Sequence, residues 1–227
     1  MNSGILLINK PAGPTSHDIV DQLRHVTGIK KIGHAGTLDP FAEGLLVMLI
    51  GREATKRQSE FLKKDKEYVA TLFLGATTDT YDRTGQITKK HEGELPTKKE
   101  IEKVLIKFRG EILQIPPAYS AKKINGERAY KLAREGKEVK LKPNGVNIKE
   151  LKLLSYNVSN LMIQVSCSSG TYIRSLAYDI GGLLGCGAYL QKLTRIKSGQ
   201  LDLNKSVNLE DLTKKNWVKY LLCLEKI

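Results

Sequence analysis

Hydrophobic residues recur along the chain with two different periods. In Glu67–Leu74 and Leu161–Cys167 the side chains fall on two alternating faces, which is typical of strands within a sheet. Gly4–Asn9 and Leu45–Ile50 are instead nearly continuous apolar runs, and short runs of this kind are typical of buried strands. We therefore predict that these four segments form strands.

Four other segments have the spacing of helices. Thr15–Gly28 opens with a threonine followed three residues later by an acidic residue, which is a capping pattern, and it closes on a glycine. Thr97–Phe108 opens in the same way. Tyr172–Leu184 carries apolar residues three and four positions apart, and Glu53–Leu62 is also predicted to be helical.

Strands and single helices follow one another without the regular spacing of βαβ units. This order favours an α+β fold with a mixed, mostly antiparallel central sheet flanked by helices and loops. Gly33–Gly44 is punctuated by glycine and proline, and Ala76–Gly85 is rich in threonine and aspartate, so both are predicted loops. Lys122–Lys142 holds eight Lys or Arg and three Glu, a net charge of 8 − 3 = +5 over 21 residues.

Composition narrows the class of protein. The 227 residues suffice for one large domain, and 41% hydrophobic with 27% charged residues exclude disordered and disulfide-scaffold classes. The longest apolar run is too short to span a bilayer, and no secretory signal pattern opens the chain. The three cysteines are widely spaced, as in proteins with reduced thiols, so a cytoplasmic location is expected.

The charge balance is the first positive indication of function. Lys and Arg number 37 against 24 Asp and Glu, which gives a net charge of +13. Such a charge favours a polyanionic partner, with nucleic acid first. The alternative at this point is a soluble basic protein with scattered lysines.

Several kinds of catalytic motif are absent from the sequence. It contains no phosphate-binding loop, no complete dinucleotide fingerprint, no zinc-protease motif and no serine-hydrolase elbow. The four histidines do not have the spacing of metal ligands, so no metal site is expected. The remaining chemistry is that of carboxylates, tyrosine, lysine and arginine on a basic surface.

One loop combines glycines with a candidate catalytic carboxylate. Gly33–Gly44 reads GHAGTLDPFAEG, and glycines allow a backbone to approach a ligand closely. Asp39 is the obvious chemical group, but Asp followed by Pro also suits the first residues of a helix. His34 could equally be a capping or core histidine, and these residues alone leave both alternatives open.

The chain resembles the TruB family, the tRNA pseudouridine-55 synthases, in five motifs that occur in the family's order. These motifs are Gly33–Leu46, Lys66–Tyr68 with Leu74–Asp82, Pro116–Lys123 with Gly126 to Gly136, Cys167–Arg174, and Leu183–Ala188 with Leu193–Arg195. The resemblance implies a pseudouridine synthase fold. It also implies an isomerase that converts the uridine at position 55, in the T loop of tRNA, to pseudouridine. The reaction cleaves the N1–C1′ bond and rejoins the uracil through C5, with no cofactor, on a base flipped out of its stack.

The family's motifs assign the catalytic roles. Asp39 matches the catalytic carboxylate, and the resemblance leaves open whether it attacks C1′ or C6 or removes the 2′ proton. Tyr68 matches the tyrosine that stacks on the uracil and relays a proton from C5. Arg174 matches the arginine that the family's third motif places beside the aspartate. Without the resemblance, Tyr68 would pass as a core residue and Arg174 as an exposed charge on a helix.

The same motifs assign contacts to the substrate. His34 matches the loop histidine that contacts the RNA, and Tyr172 and Leu193 match residues that line the nucleotide pocket. Lys66, with Lys63, Lys64 and the basic stretch, is expected to contact phosphates. Phosphate contacts position an RNA without reading its sequence.

We also expect a particular organisation and set of partners. Residues 1–227 are expected to form one catalytic domain, with a basic RNA-gripping insertion at about 111–152 and without the C-terminal PUA domain of many bacterial members. A monomer acting on the T stem-loop without guide RNA or membrane is expected. Alternatives are an RNA chaperone without catalysis, a glycoside hydrolase using Glu43 as a second acid, and a guide-dependent relative.

Overall fold

The structure is a computed structural model that describes residues 3–120, 122–124, 126–137, 139 and 141–224. Of the predicted basic stretch, residues 125, 138 and 140 lie outside this description. The chain divides into two compact units. One is formed by residues 1–69 with 193–227, and the other by residues 70–192.

Helices and strands alternate along the described chain. The helices are α1 Ser16–Thr27, α2 Gly51–Lys56, α3 Gln58–Leu62, α4 Lys98–Ile106, α5 Ala129–Arg134 and α6 Ile173–Leu183. The strands are β1 Gly4–Lys10, β2 Ile32–Ala35, β3 Glu43–Ile50, β4 Lys66–Leu74, β5 Ala76–Thr78, β6 Ile87–Lys90, β7 Gly110–Gln114, β8 Lys123–Ile124, β9 Glu127–Arg128, β10 Asn144–Asn157, β11 Asn160–Cys167, β12 Ala188–Ser198, β13 Leu201–Asp202 and β14 Val207–Asn208. Short 3-10 helices cover Leu203–Lys205, Leu209–Asp211 and Trp217–Tyr220.

The first unit is built around β1 and β3. These strands pair antiparallel along their length, from Gly4 opposite Ile50 to Lys10 opposite Gly44. β14 pairs parallel with β1, β12 pairs parallel with β3, and β2 pairs antiparallel with β3. Alternate residues of β1 and β3 belong to a buried apolar core. The register brings the start of β3 beside β12, and this fixes the loop that precedes β3.

The second unit is a largely antiparallel sheet with helices packed against it. β10 pairs antiparallel with both β7 and β11, and β5 pairs antiparallel with β6. α4 packs against β10 and α6. The boundary between the units passes through β4 and β12. Both units therefore confirm the predicted α+β class with a mixed, mostly antiparallel sheet.

Locally encoded elements were predicted well. Thr15 and Thr97 each accept a hydrogen bond in a capping box and begin α1 and α4, and Gly28 ends α1 in the left-handed conformation. Tyr172 is the N-cap of α6. In the described chain no helix is both long and apolar enough to cross a membrane.

Three local predictions were wrong. The predicted loop Gly33–Gly44 begins within β2, because hydrogen bonds to β3 extend the backbone through Ala35. The predicted loop Ala76–Gly85 begins with β5, which is held by pairing with β6. The predicted helix Glu53–Leu62 is two short helices, interrupted at Arg57. The two loop errors arose because pairing with a distant segment overrode the local residue preferences.

Candidate active site

Asp39 lies on a turn between β2 and β3. The backbone N–H of Ala42 donates to the carbonyl of Asp39 at 3.1 Å, and the chain then enters β3 at Glu43. No helix follows Asp39 in this described segment, so the interpretation of Asp-Pro as a helix start was wrong. The Asp39 residue is half-buried. A carboxylate on a tight turn at the edge of the core is placed for chemistry.

The Asp39 turn is held from one side by residues near the N-terminus. The Ser16 hydroxyl donates to the carbonyl of Leu38 at 3.1 Å and accepts from its N–H at 2.9 Å. The Lys10 ammonium donates to the carbonyls of Pro40 at 3.2 Å and Ala42 at 2.7 Å. These bonds surround Asp39 along the backbone and restrict its position.

Arg195 holds both ends of the same loop. Its Nε donates to the carbonyl of Leu45 at 2.7 Å, and its Nη2 donates to the carbonyl of Gly36 at 2.9 Å. The Arg195 side chain is 1% exposed. Gly44, at φ +96°, lies so close that a Cβ there would meet the Arg195 carbonyl oxygen. A glycine at 44 is therefore required for β3 and β12 to approach.

Two buried cations set the electrostatics of the loop. Burial lowers the pKa of Lys10 to about 8, although the negative charges of Asp39 and Glu43 act in the opposite direction. Arg195 lowers it further. The electrostatic effects on Lys10 show that the charges of Asp39, Glu43 and Arg195 are all felt at its ammonium.

His34 lies on β2, immediately before the loop. Burial first, and then the charges of Arg195 and His17, lower the pKa of His34, so the imidazole is neutral at pH 7. Its Nδ1 is buried without a hydrogen-bond partner in the part of the chain that the structure describes. The backbone carbonyl accepts from Gln58 Nε2 at 2.7 Å. A neutral imidazole suits contact with a base more than an ion pair with phosphate.

Tyr68 and Leu193 lie on neighbouring strands of the first unit. Tyr68 is on β4 and 8% exposed, and Leu193 is on β12 and 7% exposed. Leu193 directly precedes Thr194, which pairs with Glu43 at the end of the Asp39 loop. Leu193 therefore lies next to the point where the Asp39 loop ends and β3 begins.

Lys66 differs from the prediction. Its side chain is buried, and its Nζ donates to the carbonyls of Phe61 at 3.2 Å, Leu62 at 3.0 Å and Lys64. An ammonium held by backbone carbonyls in this way is not directed at a phosphate. Lys63 and Lys64 are exposed.

Arg174 lies on α6 of the second unit, where it is buried and paired. Its Nη1 is 3.4 Å from Asp82 Oδ2, and the two side chains expose only 8% and 4%. Its guanidinium also donates to the carbonyls of Thr80 at 3.3 Å and Tyr119 at 3.0 Å. Asp82 Oδ1 accepts from the Thr80 hydroxyl and the Thr84 N–H, both at 2.9 Å. The guanidinium is thus held by two segments of this unit, residues 80–82 and Tyr119.

Tyr172 is placed by a side chain that spans two elements. The Gln114 amide accepts from the Tyr172 N–H at 2.7 Å and donates to its carbonyl at 3.0 Å. Gln114 ends β7 and is 1% exposed. The Ser175 hydroxyl donates to the carbonyl of Ile115 at 2.7 Å. The Pro-Pro segment after β7 is thereby attached to the start of α6.

A basic cleft lies beside His34 in the first unit. It has a volume of about 460 Å³, and Lys31, Arg52 and Lys56 contribute the charges. Gln58, which binds the His34 carbonyl, also lines it. Lys56 is paired with the exposed Glu53 at 2.9 Å. Exposed cations around an open cleft are suited to phosphate.

Sequence reasoning missed three residues that hold the predicted site residues or their loop in place. Asp82 and Arg195 lie within the family's motifs and Lys10 lies before them, but no role was assigned to any of the three. Lys10 stands directly before the rigid turn Pro11–Pro14, and Asp82 ends a run rich in threonine and aspartate. For Lys10 and Asp82 the only signal was a charged residue beside a stiff or polar turn, and for Arg195 it was its place in the last motif.

Comparisons with known proteins cover nearly the whole chain. Residues 24–173 match the family model "TruB family pseudouridylate synthase (N terminal domain)", and residues 174–222 match "tRNA pseudouridylate synthase B C-terminal domain". The tRNA pseudouridine synthase B of Protochlamydia amoebophila is 50% identical over 205 residues, which are 90% of this chain and 78% of that protein. The one from Clostridioides difficile is 49% identical, over 92% of this chain and 69% of that protein.

Solved structures share the fold. A Cbf5–Nop10–Gar1 complex matches with a TM-score of 0.74 and 30% identity, over 94% of this chain and 54% of that chain. An H/ACA RNP bound to a substrate RNA containing 2′-deoxyuridine matches with a TM-score of 0.71 and 28% identity, over 95% of this chain. This chain spans about half the length of each of those two chains.

Proposed function

The chain belongs to the TruB family of pseudouridylate synthases, and we propose that it converts the uridine at position 55 in the T loop of tRNA to pseudouridine. The N1–C1′ bond breaks, the uracil turns, and a C5–C1′ bond forms. All atoms of the uridine are kept, so the reaction is an isomerisation. The single observation that carries the proposal is the Asp39 carboxylate on a turn fixed by Ser16, Lys10 and Arg195.

Asp39 is the proposed catalytic carboxylate. A carboxylate held on a rigid turn can attack C1′ or C6 or remove the 2′ proton, and each of these steps needs it ionised. The buried charges of Lys10 and Arg195 favour an ionised carboxylate in their vicinity. Rigid placement of a reacting group lowers the barrier because the geometry is set before the reaction.

Other residues of the first unit are proposed to receive the base. The flipped uracil would stack on Tyr68, whose phenol would relay the proton lost from C5, and Leu193 would provide an apolar wall. Neutral His34 would contact a base exposed by the opening of the loop. Flipping a base costs about a few kcal/mol, and such contacts offset that cost.

Arg174 and Tyr172 of the second unit are proposed to serve the same reaction. The ion pair with Asp82 and the bonds to two carbonyls give Arg174 one fixed orientation. Arg174 is therefore suited to stabilise negative charge on a group in a fixed place. Tyr172 is proposed to line the nucleotide pocket from its position as N-cap of α6.

The RNA backbone is proposed to contact exposed cations. These include Lys63 and Lys64, Lys31 and Arg52 of the cleft beside His34, and the exposed cations of the basic stretch, Arg128, Lys131, Lys137 and Lys142. The shape of the T loop and the base pocket would provide selectivity, since phosphate contacts carry no sequence information. Lys66 is assigned to holding the end of α3 instead.

Three expectations about organisation accompany the proposal. Residues 1–227 would act as one catalytic region with the insertion at about 111–152, as a monomer, in the cytoplasm. A guide-dependent relative of the same fold is the alternative. The higher identity, near 50%, to proteins named tRNA pseudouridine synthase B favours action without a guide.

The decisive experiment uses the purified chain and a T-arm stem-loop transcript without guide or cofactor. We expect one uridine of the loop to become pseudouridine. Asp39→Asn should bind the transcript with unchanged Kd but lose turnover by about 100-fold or more. Glu43→Gln removes the other acid of the loop and serves as the matched control, with turnover retained.

Two outcomes would contradict the proposal. Turnover by Asp39→Asn would remove Asp39 from the chemistry. Tight binding by the wild-type chain without conversion of any uridine would support an RNA chaperone instead.

A further inference from the structure

Two tyrosines stack on each other in the second unit. The ring centroids of Tyr81 and Tyr178 are 4.1 Å apart, and the ring planes differ by 22°. Tyr178 exposes 38% of its surface, and Tyr81 is half-buried behind it. The pair therefore presents aromatic surface to solvent while its inner ring is fixed in the protein.

The backbone of Tyr81 is held in a strained conformation. Its φ is +63°, in the left-handed region that costs a residue other than glycine about 1 kcal/mol or more. Leu190 N–H donates to the Tyr81 carbonyl at 2.9 Å, and Arg83 N–H donates to the Leu190 carbonyl at 3.0 Å. These two bonds to β12 fix the turn, so the ring of Tyr81 has a defined place.

The stacked pair lies beside the Arg174–Asp82 ion pair. Tyr81 directly precedes Asp82 in the chain, and Tyr178 follows Arg174 by four residues on α6, which places both on one face of the helix. The same two segments are thus joined twice, once by an ion pair and once by a ring stack. The ion pair holds Arg174, which has a role in the proposed function, whereas the ring stack has been given no role.

We propose that the Tyr81–Tyr178 pair is a stacking platform for an unpaired base of the RNA substrate, other than the uridine that is isomerised. The proposal rests on the proposed function for its ligand class. Single-stranded RNA is commonly bound by stacking splayed bases on exposed aromatic rings. The platform lies beside the Arg174–Asp82 ion pair without being part of it. It would therefore hold a nucleotide of the RNA loop that neighbours the isomerised uridine.

Local charge favours a base over a phosphate at this position. Asp179 follows Tyr178, and its negative charge contributes to raising the pKa of Tyr81, after burial and the neighbouring Tyr178. The charge of Asp82 is matched by Arg174. A phosphate beside the platform would meet the negative charge of Asp179, whereas the neutral face of a base would not be repelled by it. The occupant we commit to is therefore a nucleobase.

Binding of a T-arm stem-loop tests the platform directly. Tyr178→Ala should raise Kd about 5- to 150-fold, the range found for losing one stacked base. Tyr178→Phe keeps the ring and should stay within about 2-fold of wild type. Tyr220→Ala removes a tyrosine of similar exposure, 42%, from the first unit and should leave Kd unchanged. Thermal melting of each variant reports whether it is folded.

Salt dependence separates stacking from charge. Because Tyr178 carries no charge, the slope of log Kd against log salt should be the same for wild type and Tyr178→Ala. A changed slope would mean that the substitution had disturbed phosphate contacts, and it would overturn the stacking role.

A fluorescent base gives a second readout that is independent of Kd. Transcripts with 2-aminopurine at each loop position in turn should show one position that is quenched on binding, and Tyr178→Ala should relieve that quenching several-fold. Equal Kd for wild type and Tyr178→Ala, or no position with relieved quenching, would overturn the platform. Isomerisation is measured separately, so failure of the proposed function is distinguishable from failure of this inference.

Discussion

Lys10 shows how one buried charge links the Asp39 loop to stability. It is completely buried, and its ammonium bonds to the carbonyls of Pro11, Pro40 and Ala42. Burial lowers its pKa from 10.5 to about 8. Between these two pH values the unfolded chain keeps a proton that the folded chain has lost. The free energy of unfolding should therefore rise with pH across this window.

The variant that tests this prediction is Lys10→Met, which has a side chain of similar size without a charge. The quantity compared is the free energy of unfolding of wild type minus that of the variant. We expect this difference to increase by on the order of 3 kcal/mol as the pH rises from 8 to 10.5. Urea unfolding at several pH values measures it, and the titration of other groups cancels in the difference. A difference that is flat across the window would show that Lys10 titrates normally.

Single residues were predictable from the sequence to different degrees. Asp39 and His34 stood out because they lie among glycines in a motif, and the structure rejects the helix-start alternative for Asp39. Asp82 and Arg195 were not assigned, because their roles depend on partners 92 and about 150 residues away in the chain. Lys66 was grouped with Lys63 and Lys64 as a phosphate contact, because nothing in the local sequence showed that its ammonium bonds to the end of α3.

At the scale of elements, the loop between β2 and β3 depends on an arginine from β12. Arg195 joins the carbonyls of Gly36 and Leu45, so it closes the loop that carries Asp39. Arg195→Met should lower kcat about 10- to 100-fold, because a displacement of about 1 Å at a reacting group has effects of this size. Kd for the stem-loop should change far less. Single-turnover rates at saturating enzyme separate the two quantities.

A matched control distinguishes positioning from general stability. Arg109 also donates from its guanidinium to a backbone carbonyl, that of Leu151, at 2.9 Å, in the second unit. Arg109→Met should lower the melting temperature without an equal loss of kcat. Arg195→Lys provides one donor group where arginine provides two, so it should restore only part of the rate. Equal losses of kcat in Arg195→Met and Arg109→Met would contradict a positioning role.

Elements differ in how far local sequence determines them. α1 and α4 were predicted to within a few residues, since capping boxes and apolar spacing are local signals. β2 and the β5–β6 hairpin were missed, because their glycines, threonines and aspartates favour loops and only pairing makes them strands. The position of the Asp39 loop depends on such non-local pairing, because the start of β3 pairs with β12.

At the scale of the whole molecule, the net charge of +13 predicts binding that weakens steeply with salt. Log affinity falls linearly with log salt, and each phosphate contact adds to the steepness of that slope. The contribution is about 0.7 per contact for a single strand and about 0.9 for a duplex. If the cleft beside His34 holds the RNA backbone, Lys31 and Arg52 each account for one such contribution.

The variants Lys31→Met and Arg52→Met should each reduce that slope by about one contact and weaken binding alike for T arms of different loop sequence. Lys152→Met is the control, because it also removes one positive charge but from a lysine 2.6 Å from Glu150. Filter binding between about 50 and 200 mM salt measures the slopes. If all three variants reduce the slope equally, net charge alone governs binding and the cleft is not a phosphate site. If only the first two do so, contacts at particular places in the fold hold the RNA beside His34.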